Sequence, residues 1–312
     1  MKAKKIIKIA GTVITAAALV FVVKKLFSMD VSAEQFKSPE VLAAFAVCFV
    51  IQTVIIVFSC IPWLIFSESL SGKKIPFSAA MPVYTRSNLY KYVPGNVFQY
   101  IGRNQLAADM GISHVDVACA TVLDIFFCVF WTGIMSLIAL RQSIGVLLKE
   151  YGSKLMVTAI CCIGAALVIG VLLFLKFRQK ITDYLSRYKK AFEKERLPRL
   201  VRGILYYFLQ NAVTAGMYFI CLELMMPDST SVSELTVLTG TFLFSWIIGF
   251  ITIGAPGGIG VREGVMIYMC GSDDKIVLFV LVIRIASVLA DTAAFAVGTA
   301  YAALRQHNTK HN

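Results

Sequence analysis

Seven stretches of this chain are long and apolar enough to fill the thickness of a bilayer, and most of its charges fall between them. A helix needs about 20 mostly apolar residues to cross the hydrocarbon. The candidates are Ile6–Val23, Val41–Phe66, Val115–Ile138, Met156–Leu175, Ile204–Met226, Leu235–Ile253 and Ile276–Ala303. A water-soluble core cannot absorb this pattern. Hydrophobic residues make up 58% of the 312 and charged ones only 15%, with a mean hydropathy of +0.76. A soluble domain sits near 45–50% and about 25%. A water-soluble enzyme and a disordered chain are both excluded. The net charge of +12 lies on the connections, as in cytoplasmic loops of bilayer proteins. It does not form a nucleic-acid-binding face, so no nucleic acid partner is expected.

The first apolar run is flanked by Lys2, Lys4 and Lys5 before it and by Lys24 and Lys25 after it. Val31-Ser32-Ala33 reads as a signal cleavage site, but the run is longer than a signal core and the following lysines do not suit one. It is therefore read as an uncleaved span. The stretch 176–202 is the strongest cytoplasmic marker, with Lys176, Arg178, Lys180, Arg187, Lys189, Lys190, Lys194, Arg196, Arg199 and Arg202 against Asp183, Glu193 and Glu195. Counting spans from it puts the N-terminus and the 73–103 region on the cytoplasmic side as well. The acidic connection 227–234 then falls outside. The expected location is the plasma membrane.

Two segments fit neither a clean span nor a soluble loop. One is Phe77–Arg103, broken at Pro94-Gly95; the other runs from Gly254 to Cys270, broken at Pro256-Gly257-Gly258. Proline removes a backbone donor and glycine admits positive φ, so a helix stops at each. Irregular backbone at membrane depth is tolerated only where protein or a watery cavity covers it. Both are read as re-entrant half-helices. The expected fold is an all-α polytopic membrane protein, one integral membrane domain over 1–312, with six to seven transmembrane helices plus two re-entrant segments. If the sixth span turns back at Pro256, the C-terminus is cytoplasmic. The two hairpins then enter from opposite sides, as in the inverted-topology repeats of many transporters.

Ionisable groups inside spans are costly and mark function. Arg284 and Asp291 lie seven residues apart in the last span, on one helical face and about 10 Å apart along the axis. That is too far for a direct pair, so each is expected to reach a partner on another element. Asp124 and Glu263 are the acids available to Arg284. Arg262 and Glu263 open the half-helix after the glycines. Unpaired N–H groups there, with Gly257, Gly258 and Arg262, suit a lipid phosphate; Asn96–Arg103 offers a weaker copy of that arrangement. Close helix packing through small residues is the competing explanation of the glycines, as a buried register-fixing ion pair is for Arg284 and Asp291. Tyr84, Tyr90, Tyr92, Phe98 and Tyr100 are read as an interfacial aromatic belt.

The eight cysteines, Cys48, Cys60, Cys119, Cys128, Cys161, Cys162, Cys221 and Cys270, form no CxxC pair, and the three histidines are His114, His307 and His311. No metal-ligand spacing, nucleophile elbow, P-loop or dinucleotide fingerprint appears. No cofactor, metal or catalytic residue is expected.

The run Lys91-Tyr92-Val93-Pro94-Gly95-Asn96 through Gly102-Arg103, and the run Pro256-Gly257-Gly258-Ile259-Gly260-Val261-Arg262-Glu263-Gly264, resemble the membrane domain of lysylphosphatidylglycerol synthases and its stand-alone flippase-like relatives. The resemblance extends over nearly the whole chain and includes an arginine in the last long helix, here Arg284. It implies a helical membrane domain that moves aminoacylated phospholipid between leaflets. Arg103, Arg262, Glu263 and Arg284 match the charged signature of the family. The bifunctional relatives carry a cytoplasmic acyltransferase-like domain after the membrane part. This sequence ends at Asn312, so lysyltransferase activity is not expected of it. Many relatives pair an acid with a neighbouring arginine in the third span; here Asp124 is followed by Ile125, which leaves its partner open.

The expected function is binding or translocation of an anionic lipid, either an aminoacylated phospholipid or a polyprenyl-linked sugar. Arg103, Gly257, Gly258, Arg262 and Arg284 would hold the headgroup. Glu263 and Asp291 are the acids available to couple protonation to movement. A second reading is a non-transporting partner that presents lipid to a separate synthase or glycosyltransferase, docking through 176–202. A membrane-embedded transferase ranks last, because the carboxylates are scattered.

Overall fold

The computed structural model describes residues 37–93, 97–141, 197–227, 230–252, 255–258, 260–271 and 273–311. The expected first and fourth spans, most of the basic stretch, and Pro94 and Gly95 lie outside them. Among the described residues every regular element is helical.

Helix α1 spans Pro39–Phe58. Its start is written in three residues: the Ser38 hydroxyl accepts the Val41 N–H at 3.3 Å, Pro39 sits where no N–H is needed, and Glu40 faces the positive helix end. After Ser59, α2 runs Cys60–Ser71, and together they form a helical stretch of 33 residues. The expected second span is thus one element with a break at Ser59. Pro62 explains the break, since it offers no N–H to the carbonyl of Phe58 four residues back. The Tyr206 hydroxyl donates to that carbonyl at 3.1 Å instead.

Helix α3 covers Phe77–Asn88, a single 3-10 turn covers Leu89–Tyr92, and α4 covers Phe98–Ala108. Helix α5 is His114–Arg141, started by the Ser113 hydroxyl accepting the Asp116 N–H at 3.1 Å. Helix α6 is Leu197–Met225 and α7 is Val232–Ile251, the latter capped by Ser231. A 3-10 turn over Pro256–Gly258 leads to α8, Val261–Cys270, and the chain ends in α9, Asp274–His311.

Five of these stretches are long and apolar enough to cross a membrane: Pro39–Ser71, His114–Arg141, Leu197–Met225, Val232–Ile251 and Asp274–Arg305. The protein is an all-α, multi-pass membrane protein. By contrast α3, α4 and α8 have 12, 11 and 10 residues. At 1.5 Å per residue each covers about half of a 30 Å hydrocarbon layer. The second segment is interrupted at Pro256–Gly258, as expected; in the first, helical structure ends at Tyr92 and resumes at Phe98, and the expected break at Pro94-Gly95 lies outside the described residues.

The apolar parts of α7 and α9 are 50% buried, whereas that of α5 is 17% buried, so among the described helices α9 is central and α5 peripheral. Helix α9 packs chiefly on α1 and α3. Its crossing with α3 is close: a Cβ at Gly298 would collide with the Thr85 side chain. Among the described residues the two larger buried clusters hold the fold. One gathers Met217, Tyr218, Phe242, Met266, Phe279 and Ile283 from α6 to α9. The other gathers Trp63, Phe66, Ala80, Val117, Ala120 and Tyr207 from α2, α3, α5 and α6. Val54, Val122, Phe126 and Leu209 face outward, while Arg103, Asp124, Arg284 and Asp291 are buried. Apolar outside and charged inside is the pattern of a protein solvated by lipid.

Candidate functional site

A cavity of about 160 Å³ opens where the two clusters meet. Its wall draws on α1 (Gln52), on α3 and its following turn (Tyr84, Asn88, Lys91, Tyr92), on α4 and α5 (Arg103, Asp124), and on the second break and α9 (Gly257, Arg262, Arg284, Asp291). The turn over Leu89–Tyr92 meets the turn over Pro256–Gly258 here. Gly257 has φ +60°, and a Cβ on it would come within 2.8 Å of the Tyr92 ring, so only glycine serves both the turn and the contact.

The first charged group is Arg103 with Asp124, 2% and 5% exposed. Arg103 Nη1 donates to Asp124 Oδ2 at 2.7 Å, and Arg103 Nε donates to Ser87 Oγ at 3.4 Å. Tyr84 and Tyr207 also donate to the carboxylate. The guanidinium stacks 3.9 Å from the centre of the Tyr84 ring. The partner that Asp124 lacks at the next position in sequence is thus supplied from another helix. Asp124 is not the acid that serves Arg284.

The second group joins the first break to α9. Asp291 accepts from Asn88 Nδ2 at 2.7 Å, Lys91 Nζ at 2.8 Å and Tyr92 Oη at 2.6 Å. Three donors from one five-residue stretch converge on one carboxylate, which fastens that stretch to the central helix. The third group joins α8 to α9. Arg284 Nε lies 2.6 Å from Glu263 Oε1, and Arg284 Nη2 donates to the Gly257 carbonyl at 3.3 Å. The other oxygen of Glu263 accepts the Gly260 N–H at 2.6 Å. The start of α8 therefore already holds a carboxylate of its own chain, which takes the place an external anion would have at a bare helix end.

Arg262 completes the set. Its side chain lies over Gly249 and Gly258, where a Cβ on either glycine would collide with it. Its guanidinium faces Trp246 at 5.5 Å. Its Nε is buried and has no hydrogen-bond partner. Among the described residues no carboxylate lies within ion-pair distance of it. Among the described residues Lys91, Arg103 and Arg284 each have an acid and Arg262 does not. Among the described residues the cavity and Glu263 together carry one positive charge in excess, on a group whose unmade hydrogen bond costs about 1–3 kcal/mol.

Of the residues singled out in the sequence, Arg103, Asp124, Gly257, Arg262, Arg284 and Asp291 line this one cavity. Glu263 stands behind Arg284, Gly258 lies beneath the Arg262 side chain, and Pro256 lies in the turn. Pro94 and Gly95 fall outside the described residues. The aromatic belt needs correction: Tyr84, Tyr92 and Tyr100 line the cavity, and Tyr90 packs inside against Gly102. These rings face the interior of the bundle. Lys91, Asn88 and Gln52 were not foreseen. Gln52 carried a signal, being an amide inside the apolar run of α1. Among the described residues no three His, Cys, Asp or Glu side chains form a metal-binding group.

A family model described as the lysylphosphatidylglycerol synthase TM region matches residues 8–294. No curated protein matches the chain.

Proposed function

Since the chain belongs to the lysylphosphatidylglycerol synthase TM-region family, we propose that it binds the anionic headgroup of a membrane lipid in the central cavity and passes it between leaflets. The observation that carries this reading is Arg262, a buried cation on the cavity wall with no acid of its own among the described residues. A lipid phosphate entering the cavity replaces lost hydration with a charge-assisted hydrogen bond from that guanidinium. The acyl chains remain among the outward apolar faces. Arg103, Arg284 and Lys91 shape the positive field around the phosphate. In this reading the protein resides in the plasma membrane with its N-terminus and the 176–202 stretch on the cytoplasmic side.

The two broken segments supply the moving part. They meet at Tyr92 and Gly257 and are held by Asp291 and Glu263 to the same helix, α9. A headgroup seated at Arg262 competes for Lys91 and Arg284, which loosens both ties and opens the path to the other leaflet.

Proteoliposomes with a fluorescent phosphatidylglycerol in both leaflets test the proposal through a membrane-impermeant quencher. Wild-type protein is expected to expose lipid from the inner leaflet, and Arg262→Gln to lower the rate by about tenfold or more, the loss of one charged hydrogen bond. Equal rates for the two proteins, both correctly folded by size-exclusion profile, would overturn the assignment of Arg262.

A further inference from the structure

A second cleft, of about 610 Å³, lies between α5, α6 and α7 and shares no lining residue with the central cavity. Clefts that hold small ligands measure about 300–1,000 Å³. Small side chains make the room. A Cβ on Gly216 of α6 would meet nothing within 4 Å, whereas one on Gly240 of α7 would collide with Ala139 of α5. Gly240 serves close helix packing; Gly216 leaves space open. The wall asks for little water. Thr236 spends its hydroxyl on the Val232 carbonyl at 2.7 Å, and Met135, Phe219 and Leu243 are apolar. Space of this kind takes an apolar guest.

Ala139 lies beside Gly240 and Gly133 beside Ile247, so α5 and α7 run antiparallel. Arg141, the last residue of α5, therefore stands at the same end of the cleft as the first turns of α7, and Met135 and Leu243 at the other. Along α7 the wall runs from Val232 to Leu243, about 16 Å at 1.5 Å per residue. One leaflet of a hydrocarbon layer about 30 Å thick is as deep. Arg141 is exposed and is the only charged residue among the described lining residues. Among the described residues no carboxylate lies within ion-pair distance of it, and its long stem lets the guanidinium reach the headgroup layer. We infer that this cleft is a lipid site apart from the central one: one acyl chain of a resident phospholipid fills it, and the phosphate of that lipid rests on Arg141. The site reads the chain and the phosphate and is indifferent to what the phosphate carries. The lipid fills space between α5, α6 and α7 that the side chains on the wall leave empty.

Photo-crosslinking of the full-length protein in proteoliposomes tests this. The probes carry a diazirine at the end of one palmitoyl chain: phosphatidylglycerol, phosphatidylethanolamine, and a diacylglycerol, which lacks the phosphate. The two phospholipids are expected to label Met135 and Leu243 equally, and the diacylglycerol about tenfold less, the loss of one charge-assisted hydrogen bond. Gly216→Leu, which puts a side chain into open space, is expected to abolish the label, and Arg262→Gln to leave it unchanged. Diacylglycerol labelling as strongly as the phospholipids, or cleft labels no denser than those at outward Val122, overturns the inference, and the wild-type protein alone decides that. Labelling that vanishes in Arg262→Gln overturns it too, because it then reports the central cavity. A thiol placed by Gly216→Cys separates lipid from protein as the occupant. Its reaction with a membrane-permeant maleimide is expected to quicken severalfold on delipidation and to slow when phospholipid is returned. A thiol that stays unreactive throughout means that protein, a further segment of this chain or a second copy, covers the cleft, and the inference fails.

Discussion

Removing one half of the Arg103–Asp124 pair leaves a full charge stranded among Trp63, Tyr84 and Tyr207. Breaking a buried pair costs about 3–5 kcal/mol, whereas replacing both members by apolar residues is often neutral. Asp124→Leu is therefore expected to lower the thermal midpoint in detergent sharply. The double variant Arg103→Leu with Asp124→Leu is expected to recover most of the loss. A scanning fluorimetry series over the wild type, the two single variants Arg103→Leu and Asp124→Leu, and the double variant checks this. Asp124 also marks how far the residues were legible. Its burial in a span was readable, because a charge in an apolar run stands out. Its partner was not, because Arg103 lies 21 residues upstream on a separate helix, and only packing brings the two together. The acid of Arg284, by contrast, was one of two named in advance, because few carboxylates are available at all.

At the level of elements, the two broken segments depend on backbone that only certain residues adopt. Gly257→Ala forces a side chain into φ +60° and against the Tyr92 ring, at a cost of about 1–3 kcal/mol. Chemical denaturation in mild detergent should register that loss. Asp291→Asn weakens the charged tie from α9 to the 88–92 stretch; hydrogen exchange at those amides is expected to speed up while exchange in the middle of α1 stays unchanged. Long spans were readable because an apolar run of membrane length constrains itself. The break at Pro256-Gly257 was readable from backbone chemistry alone, whereas Pro94-Gly95 lies outside the described residues. The tyrosines were not: a ring with one polar atom suits a headgroup layer and a buried polar cavity equally, and sequence does not separate the two. The bend at Ser59 shows a similar limit, since Pro62 announces a weak hydrogen bond but not that Tyr206 fills it.

For the whole molecule, the pattern of apolar outside and charged inside predicts where water reaches. Cysteine placed at Val54, Val122 or Leu209, all at least half exposed from the protein, is expected to resist an aqueous maleimide in intact membranes and to react once detergent is replaced by urea. The account's central claim is more local: an anionic headgroup sits in the interior cavity, against Arg262. Photo-crosslinking with a phosphodiester lipid that carries a diazirine on its headgroup, followed by peptide mapping, tests it most directly. The account predicts labels on the cavity wall, at Gln52, Trp246 and Ser287, which fade in Arg262→Gln. Labels confined to outward residues such as Val122, Phe126 and Leu209, with none on the wall, would contradict it.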